Sequence, residues 1–333
     1  MRPVETSPDP ILEAMEAARS GPSVVAIGGG TGLSQALQAI HRYAGDITAI
    51  VSVADDGGSS GRLAPDLQIP PPGDIRRCLL ALTPQDSIWR RLFEYRFEGA
   101  DVRGHSLGNL IIASLADLEG DFEAALRAAE RLLGSVGSVV PVSGERLHLE
   151  AIVDGAAVSG QASITAARGP VERIWIEPSG ARACDSALDA IAAADQIVLG
   201  PGSLYTSVIA ALLVSDMVSA INRSRARLVW VANLTTQDGE TLRMDGADHL
   251  EALLEQTGVR SPSAIVANST AIETAAPVES MVIETEVFAT FGADVEWGDL
   301  IDPISPWPRH DPARLGGMLG RLAMTYDDPG EVD

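Results

Sequence analysis

The sequence predicts an α/β protein, a three-layer core around a mainly parallel sheet, with a small antiparallel β insertion. Three observations predict it. Twice a short β-branched run stops at glycines and passes into an apolar pattern with helical spacing, in VVAIGGGTGLSQALQAI and in ADQIVLGPGSLYTSVIAALLV. ITAIVSV is continuously apolar, as expected of a parallel strand covered on both faces. RLHLEAIVDGAAVSGQASITAARGPVERIWIEP alternates apolar and polar residues between Asp-Gly and Arg-Gly-Pro breaks, the pattern of antiparallel hairpins.

Taken in order, residues 1–22 read as a loose leader with one short helix, Ile11–Arg19, closed by Gly21-Pro22. Strand, glycine turn and helix follow, with Leu33, Leu37 and Ile40 spaced i, i+4, i+7. After the second strand, PPPGDIRRCLLAL predicts a stiff loop and a helix with Asp74 as its N-cap. Helices are also expected within LGNLIIASLADL and, capped by Asp121, within DFEAALRAAERLL. The insertion is placed at about residues 138–180. The α/β rhythm then resumes through ADQIVL, RLVWVAN and SAIVANS, and Pro312–Met324 forms a closing helix before an acidic tail, 326–333. Residues 23–325 are thus expected to form a single domain.

Composition narrows the chemistry. The 333 residues carry a net charge of −22, which argues against nucleic acid or an anionic membrane surface as partner. All 24 basic residues are arginine, so P-loop, Schiff-base and general-base lysines are excluded. Phosphate would have to be met by arginine, backbone N–H groups and hydroxyls. The two cysteines, Cys78 and Cys184, form no metal or redox spacing. The N-terminus has no apolar signal-peptide core and no run is long enough to span a membrane, so a cytoplasmic protein is expected.

Candidate site residues cluster at strand ends. In GGGTGLS, Gly29, Gly30 and Gly32 free backbone N–H groups at a helix start and Thr31 adds a hydroxyl, the makings of a phosphate cradle. The spacing matches neither GxGxxG nor a Walker loop. The second strand ends in VADDGGSSGRL. Asp55 and Asp56 there could receive sugar hydroxyls, hold Mg²⁺, or serve as turn formers, with Gly58, Ser59 and Ser60 behind them. Arg76 sits in a first helical turn, where the helix dipole disfavours a cation unless an anion binds nearby. GHSLG fits the nucleophile-elbow pattern, but the charged EYRFEGADVR before it is no buried strand. Ser106 is therefore expected to cap a helix, with His105 and Asn109 at its mouth. GPGSLYTS offers Gly202, Ser203, Thr206 and Ser207 as anion donors. NLTTQDGET offers Asn233, Thr235, Thr236 and Gln237, neutral groups suited to a base or sugar.

Together IGGGTGLS, VADDGGSSGRL, PPGDIRRCLLAL, GHSLGNLIIASL, LGPGSLYTS and NLTTQDGET, with an echo in RHDPARL, resemble the YvcK family, the gluconeogenesis-factor or UPF0052 group. That group lies within the 2-phospho-L-lactate transferase (CofD-like) superfamily. The resemblance implies a Rossmann-like core and a cytoplasmic regulatory protein that binds a UDP-sugar, chiefly UDP-N-acetylglucosamine. It implies a link from carbon metabolism to cell-wall supply and cell shape, without established turnover. It assigns Gly29, Gly30, Thr31, Gly32, Asp55, Asp56, Gly202, Ser203, Thr206, Asn233 and Arg309 to the ligand. Where family members tend to carry a tyrosine, NSTAIETAAPVES has none. No cofactor is required on this reading, and a homodimer and protein partners in cell-wall regulation are expected. The alternative is a Mg²⁺-dependent phosphoryl- or nucleotidyl-group transferase, with Asp55 and Asp56 on the metal and Arg76 stabilising charge.

Overall fold

The computed structural model describes residues 21–57, 61, 69–99 and 102–325. The expected leader helix, Gly58, Ser59, Ser60 and the acidic tail lie outside these residues.

Seven parallel strands form one sheet. β1 (Ser23–Gly28) leads through α1 (Gly30–Ile40) to β2 (Asp46–Val51). The chain then passes α2 (Pro72–Ala81), α3 (Ile88–Glu94), α4 (Leu107–Glu119) and α5 (Phe122–Leu133) to β3 (Ser138–Pro141). A separate antiparallel sheet holds β4 (His148–Val153), β5 (Ala156–Ser159) and β6 (Val171–Glu177), with α6 (Gln161–Ala167) between the last two. After α7 (Asp185–Ala193) the chain re-enters the main sheet at β7 (Gln196–Leu199), β8 (Arg227–Val231), β9 (Ala264–Asn268) and β10 (Asp294–Gly298), and Pro312–Met324 forms the last helix.

The strand order is β10-β9-β8-β7-β1-β2-β3. From β1 the chain winds outward to β3, then returns to the other side of β1 and winds outward again to β10. Right-handed crossovers on either side of this reversal put helices on both faces. The inner strands are accordingly buried almost throughout: Ala26, Ile27, Ile197, Val198, Leu228 and Val229 are inaccessible to solvent. The reversal opens a crevice at the carboxyl ends of β1 and β7, where ligands bind in such sheets.

Three local expectations change. Ser138–Pro141 pairs parallel with β2, so the separate sheet runs from His148 to Glu177 and does not begin at 138. Asp74 does not cap its own helix, which starts at Pro72 after Pro71; its carboxylate accepts from Gly30 N instead (2.6 Å). β10 forms in the weakly patterned stretch after β9, where Asp294–Gly298 takes its register from Ala264–Asn268. Expected caps do form elsewhere. Ser106 accepts from Asn109 N (3.3 Å), and Asp121 from Ala124 N (2.6 Å). The Asp154-Gly155 turn of the β4–β5 hairpin has positive φ at both residues, as a tight hairpin turn demands.

The small sheet is tied to the main one by a borrowed cap. The helix Gln161–Ala167 starts after Gly160, which has no side chain to cap it. Asp56, in the loop after β2, accepts from Ala162 N (2.9 Å) across 106 residues of sequence. Asp56→Ala should cost about 1 kcal/mol, the usual value of a helix cap. It should also speed amide exchange in 161–167 before other segments, read by urea unfolding and hydrogen-exchange mass spectrometry.

Candidate functional site

The crevice holds a cleft of about 380 Å³, built from four chain segments. Gly29–Gly32 after β1 and Pro201–Ser203 after β7 form its floor. Asn233–Gln237 after β8 and Pro308–His310 before the last helix form its sides.

The floor depends on a close approach. A Cβ at Gly32 would stand 2.3 Å from Pro201 O, so any side chain there would force the two turns apart. Gly30 and Gly200 have φ of +66° and +69°, conformations that favour glycine. The helix that starts at Gly30 has no side-chain cap from its own N-cap, Gly29. Asp74 takes up the Gly30 N–H from a neighbouring helix and pairs with Arg77 on its other oxygen. The first-turn N–H groups of Thr31 and Gly32 have no intrahelical acceptor, and both residues line the cleft. Positive partial charge therefore collects on the floor.

The second turn is arranged differently. Leu204–Ile209 is a π-helical run in which Val208 N reaches back to Ser203 O (3.1 Å). Its N-terminus already holds an internal anion. The Glu240 carboxylate accepts from Tyr205 N (3.3 Å), Thr206 N (3.4 Å) and Thr206 Oγ1 (2.5 Å). Burial outweighs these donors and holds the Glu240 carboxyl above its usual range. The carbonyl and amide of Asn233 clasp Gly202, accepting from its N (3.0 Å) and donating to its O (2.9 Å). Gln237 Nε2 donates to Ser203 Oγ (2.8 Å).

Arg309 is the one guanidinium among the described residues lining the cleft. Its Nε donates to Asp302 (2.7 Å). The Ile304 N–H and Arg309 hold the Asp302 carboxyl below its usual range. No described lining residue carries a carboxylate, in a chain with 46 acids.

Of the residues expected from sequence, Gly29, Gly30, Thr31, Gly32, Gly202, Ser203, Ser207, Asn233, Thr235, Thr236, Gln237 and Arg309 converge on this cleft. Six others lie elsewhere. Thr206 is committed to Glu240 and Asp56 to the insertion helix, while Asp55 accepts from Gly57 N (3.0 Å). Arg76 is buried beneath the helix at Leu107, donating to Asn109 Oδ1 (3.0 Å) and Phe93 O (3.2 Å). Burial, with Arg96 and Arg77 nearby, brings its guanidinium down to about 10. His105 is buried beside Ser106.

Gln35, Pro201, Pro308 and His310 line the cleft without having been expected. Gln35 stands one helical turn beyond Thr31, a spacing that could have found it. His310 follows Arg309 but carries no pattern of its own.

His310 is 3 % exposed, and burial holds its imidazole down to about 4. Unfolded, it takes a proton near 6.5, whereas the native ring refuses it until about 4. Its contribution is therefore intact above 6.5 and lost as the pH falls from 6.5 towards 4, a total of about 3 kcal/mol. Buried His249 is lowered in the same direction. Urea unfolding across this range should show the acid-side loss in wild type and a shallower one in His310→Asn.

The 2-phospho-L-lactate transferase CofD family model matches residues 24–291. A putative gluconeogenesis factor from Nostoc sp. is 40 % identical over 314 residues, covering 90 % of this chain and 68 % of that protein. The gluconeogenesis factor of Halalkalibacterium halodurans is 44 % identical over 239 residues, 71 % of this chain and 74 % of that one. A crystal structure of a UPF0052 family member from Bacillus halodurans superposes with a TM-score of 0.85 at 36 % identity, covering 89 % of this chain and 99 % of that one. By motif order, fold and relatedness along most of its length, the chain belongs to the CofD/UPF0052 family, among the members named gluconeogenesis factors.

Proposed function

We propose that this chain is a cytoplasmic regulatory protein that binds a UDP-sugar, UDP-N-acetylglucosamine first among them, and couples carbon metabolism to cell-wall synthesis and cell shape. The observation that carries the reading is the make-up of the cleft. Two first-turn N–H groups, several hydroxyls and amides and one guanidinium meet there without a single described carboxylate. Such a set accepts a diphosphate at the positive floor and leaves neutral groups for base and sugar. The described lining residues include no cysteine and no carboxylate, and His310, held down to about 4 by burial, is a weak base, which favours binding over turnover. Among the described residues no helix is long and apolar enough to cross a membrane.

A second reading, a Mg²⁺-dependent phosphoryl- or nucleotidyl-group transferase, is favoured by the description of the matching family model. Asp55 and Asp56 would hold the metal, although Asp56 already spends one oxygen on the insertion helix.

Isothermal calorimetry should give saturable binding of UDP-N-acetylglucosamine without added metal, and Gln237→Glu should weaken it at least about tenfold by introducing a carboxylate into a cleft whose described lining has none. No heat with UDP-N-acetylglucosamine, UDP-glucose or UDP would sink the proposal. Phosphorus NMR of nucleotide donors with candidate acceptors decides the second reading: new phosphorus signals that require Mg²⁺ would establish transfer.

A further inference from the structure

A second cavity, of about 520 Å³, lies where the insertion meets the core and shares no described lining residue with the cleft. The turn from α6 to β6 forms one side of it, and Tyr205 with the loop from Gly239 to Met244 forms the other. Ser203 and Gln237 line the cleft, whereas Tyr205 and Glu240, a short way further along the same two segments, line this cavity. Val171, Leu242 and Met244 give it an apolar wall.

Three donors stand in that wall. Tyr205 is 4 % exposed, and the acceptor its hydroxyl meets among the described residues is the Met244 sulfur at 4.0 Å, a weak one. Burial pushes the phenol up to about 12, so it keeps its proton. A buried hydroxyl without a good acceptor is destabilising, and its retention needs a reason. Arg168 and Arg243 supply the other donors. Both hold positive φ, +54° and +67°, a conformation in which glycine would be less strained. Two arginines kept in that conformation around one cavity point to a use for their side chains. Arg168 pairs with Asp238 (3.1 Å), which leaves other N–H groups of its guanidinium, and Arg243 has no ion pair or hydrogen bond among the described residues.

Two acids share the lining. The Glu240 oxygens are taken up by Tyr205 N, Thr206 N, Thr206 Oγ1 and Thr165 Oγ1. Asp154 stands exposed on the hairpin turn and is the lining acid left to oppose an anion.

We propose that this cavity binds a small organic anion with an apolar body. The Arg168 and Arg243 guanidiniums and the Tyr205 hydroxyl hold its phosphate or carboxylate head group. Its carbon skeleton lies on Val171, Leu242 and Met244. The site is separate from the cleft and stands whatever the cleft binds.

Phenyl phosphate and benzoate each join such a head group to such a body, and ligand-observed NMR titration of the full chain measures both. At least one should bind saturably, and the tighter of the two names the head group. Inorganic phosphate and acetate, the same head groups without the ring, should bind several-fold more weakly; equal affinity overturns the apolar contact. Arg243→Met keeps an apolar stem at an exposed position but removes the charge, and Tyr205→Phe removes only the hydroxyl. Each should weaken the bound probe at least about fivefold. Gln237→Glu, in the cleft, should leave the probe at wild-type affinity. No saturable binding of either probe overturns the site. So does wild-type affinity in Arg243→Met with a loss in Gln237→Glu, which would put the probe in the cleft. Should Tyr205→Phe fail to fold, the exposed Arg243→Met carries the test alone.

Discussion

The contact of two glycine turns at the sheet reversal is the constraint on which the rest of this structure depends. Gly32 sits so close to Pro201 O that no side chain fits between the turns. Their approach brings the first-turn N–H groups after β1 beside Ser203 and Asn233, and the cleft floor exists because of it. The constraint extends outward through side chains. Asp74 reaches the first turn from a neighbouring helix, and Asn233 clasps the second from the next strand end. A segment far along the sequence, Pro308–His310, closes the wall. Rigid elements thus fix the geometry of loops that would otherwise be soft.

How a protein of net charge −22 keeps an anion-compatible cleft is answered by where its acids go. Those nearest the site are spent on backbone N–H groups and guanidinium. Asp74 caps the first turn, and Glu240 fills the N-terminus of the π-helical run. Asp56 caps the insertion helix, and Asp302 tethers Ile304 and Arg309. Each carboxylate satisfies donors that would otherwise lack a partner, and Asp74 and Asp302 are also paired with arginines. Because Glu240 occupies one helix start, only the turn after β1 keeps its first-turn donors for a ligand. The two glycine turns look alike in sequence yet divide the labour.

The insertion shares this economy. Its helix Gln161–Ala167 takes a cap from Asp56, and near its other end Thr165 Oγ1 reaches Glu240 (3.4 Å) while Arg168 pairs with Asp238 (3.1 Å). The small sheet therefore bears on the loop after β2 and on the loop after β8, the latter being one side of the cleft. Membership of the CofD/UPF0052 family accounts for the core and the motif order. The cleft chemistry supplies the argument for a nucleotide-sugar ligand.

By itself the sequence determined the local features: strand–glycine–helix units, the Ser106 and Asp121 caps, the Asp-Gly hairpin and the closing helix at Pro312. These follow from periodicity and turn chemistry, which act over a few residues. It also determined that phosphate must be met without lysine, and it marked twelve residues that converge on the cleft. Only the tertiary structure decided which polar groups remain available. Asp56 and Thr206 read as ligand-facing and Asp74 as the cap of its own helix, but each is claimed by a partner 34 to 106 residues away. β10 formed in an unpatterned stretch because a neighbouring strand set its register. His310 joined the cleft because a backbone pairing with Ile301 holds its segment against the wall. Hydrogen-bond partnership across the chain is a property of the closed fold, and no local pattern encodes it.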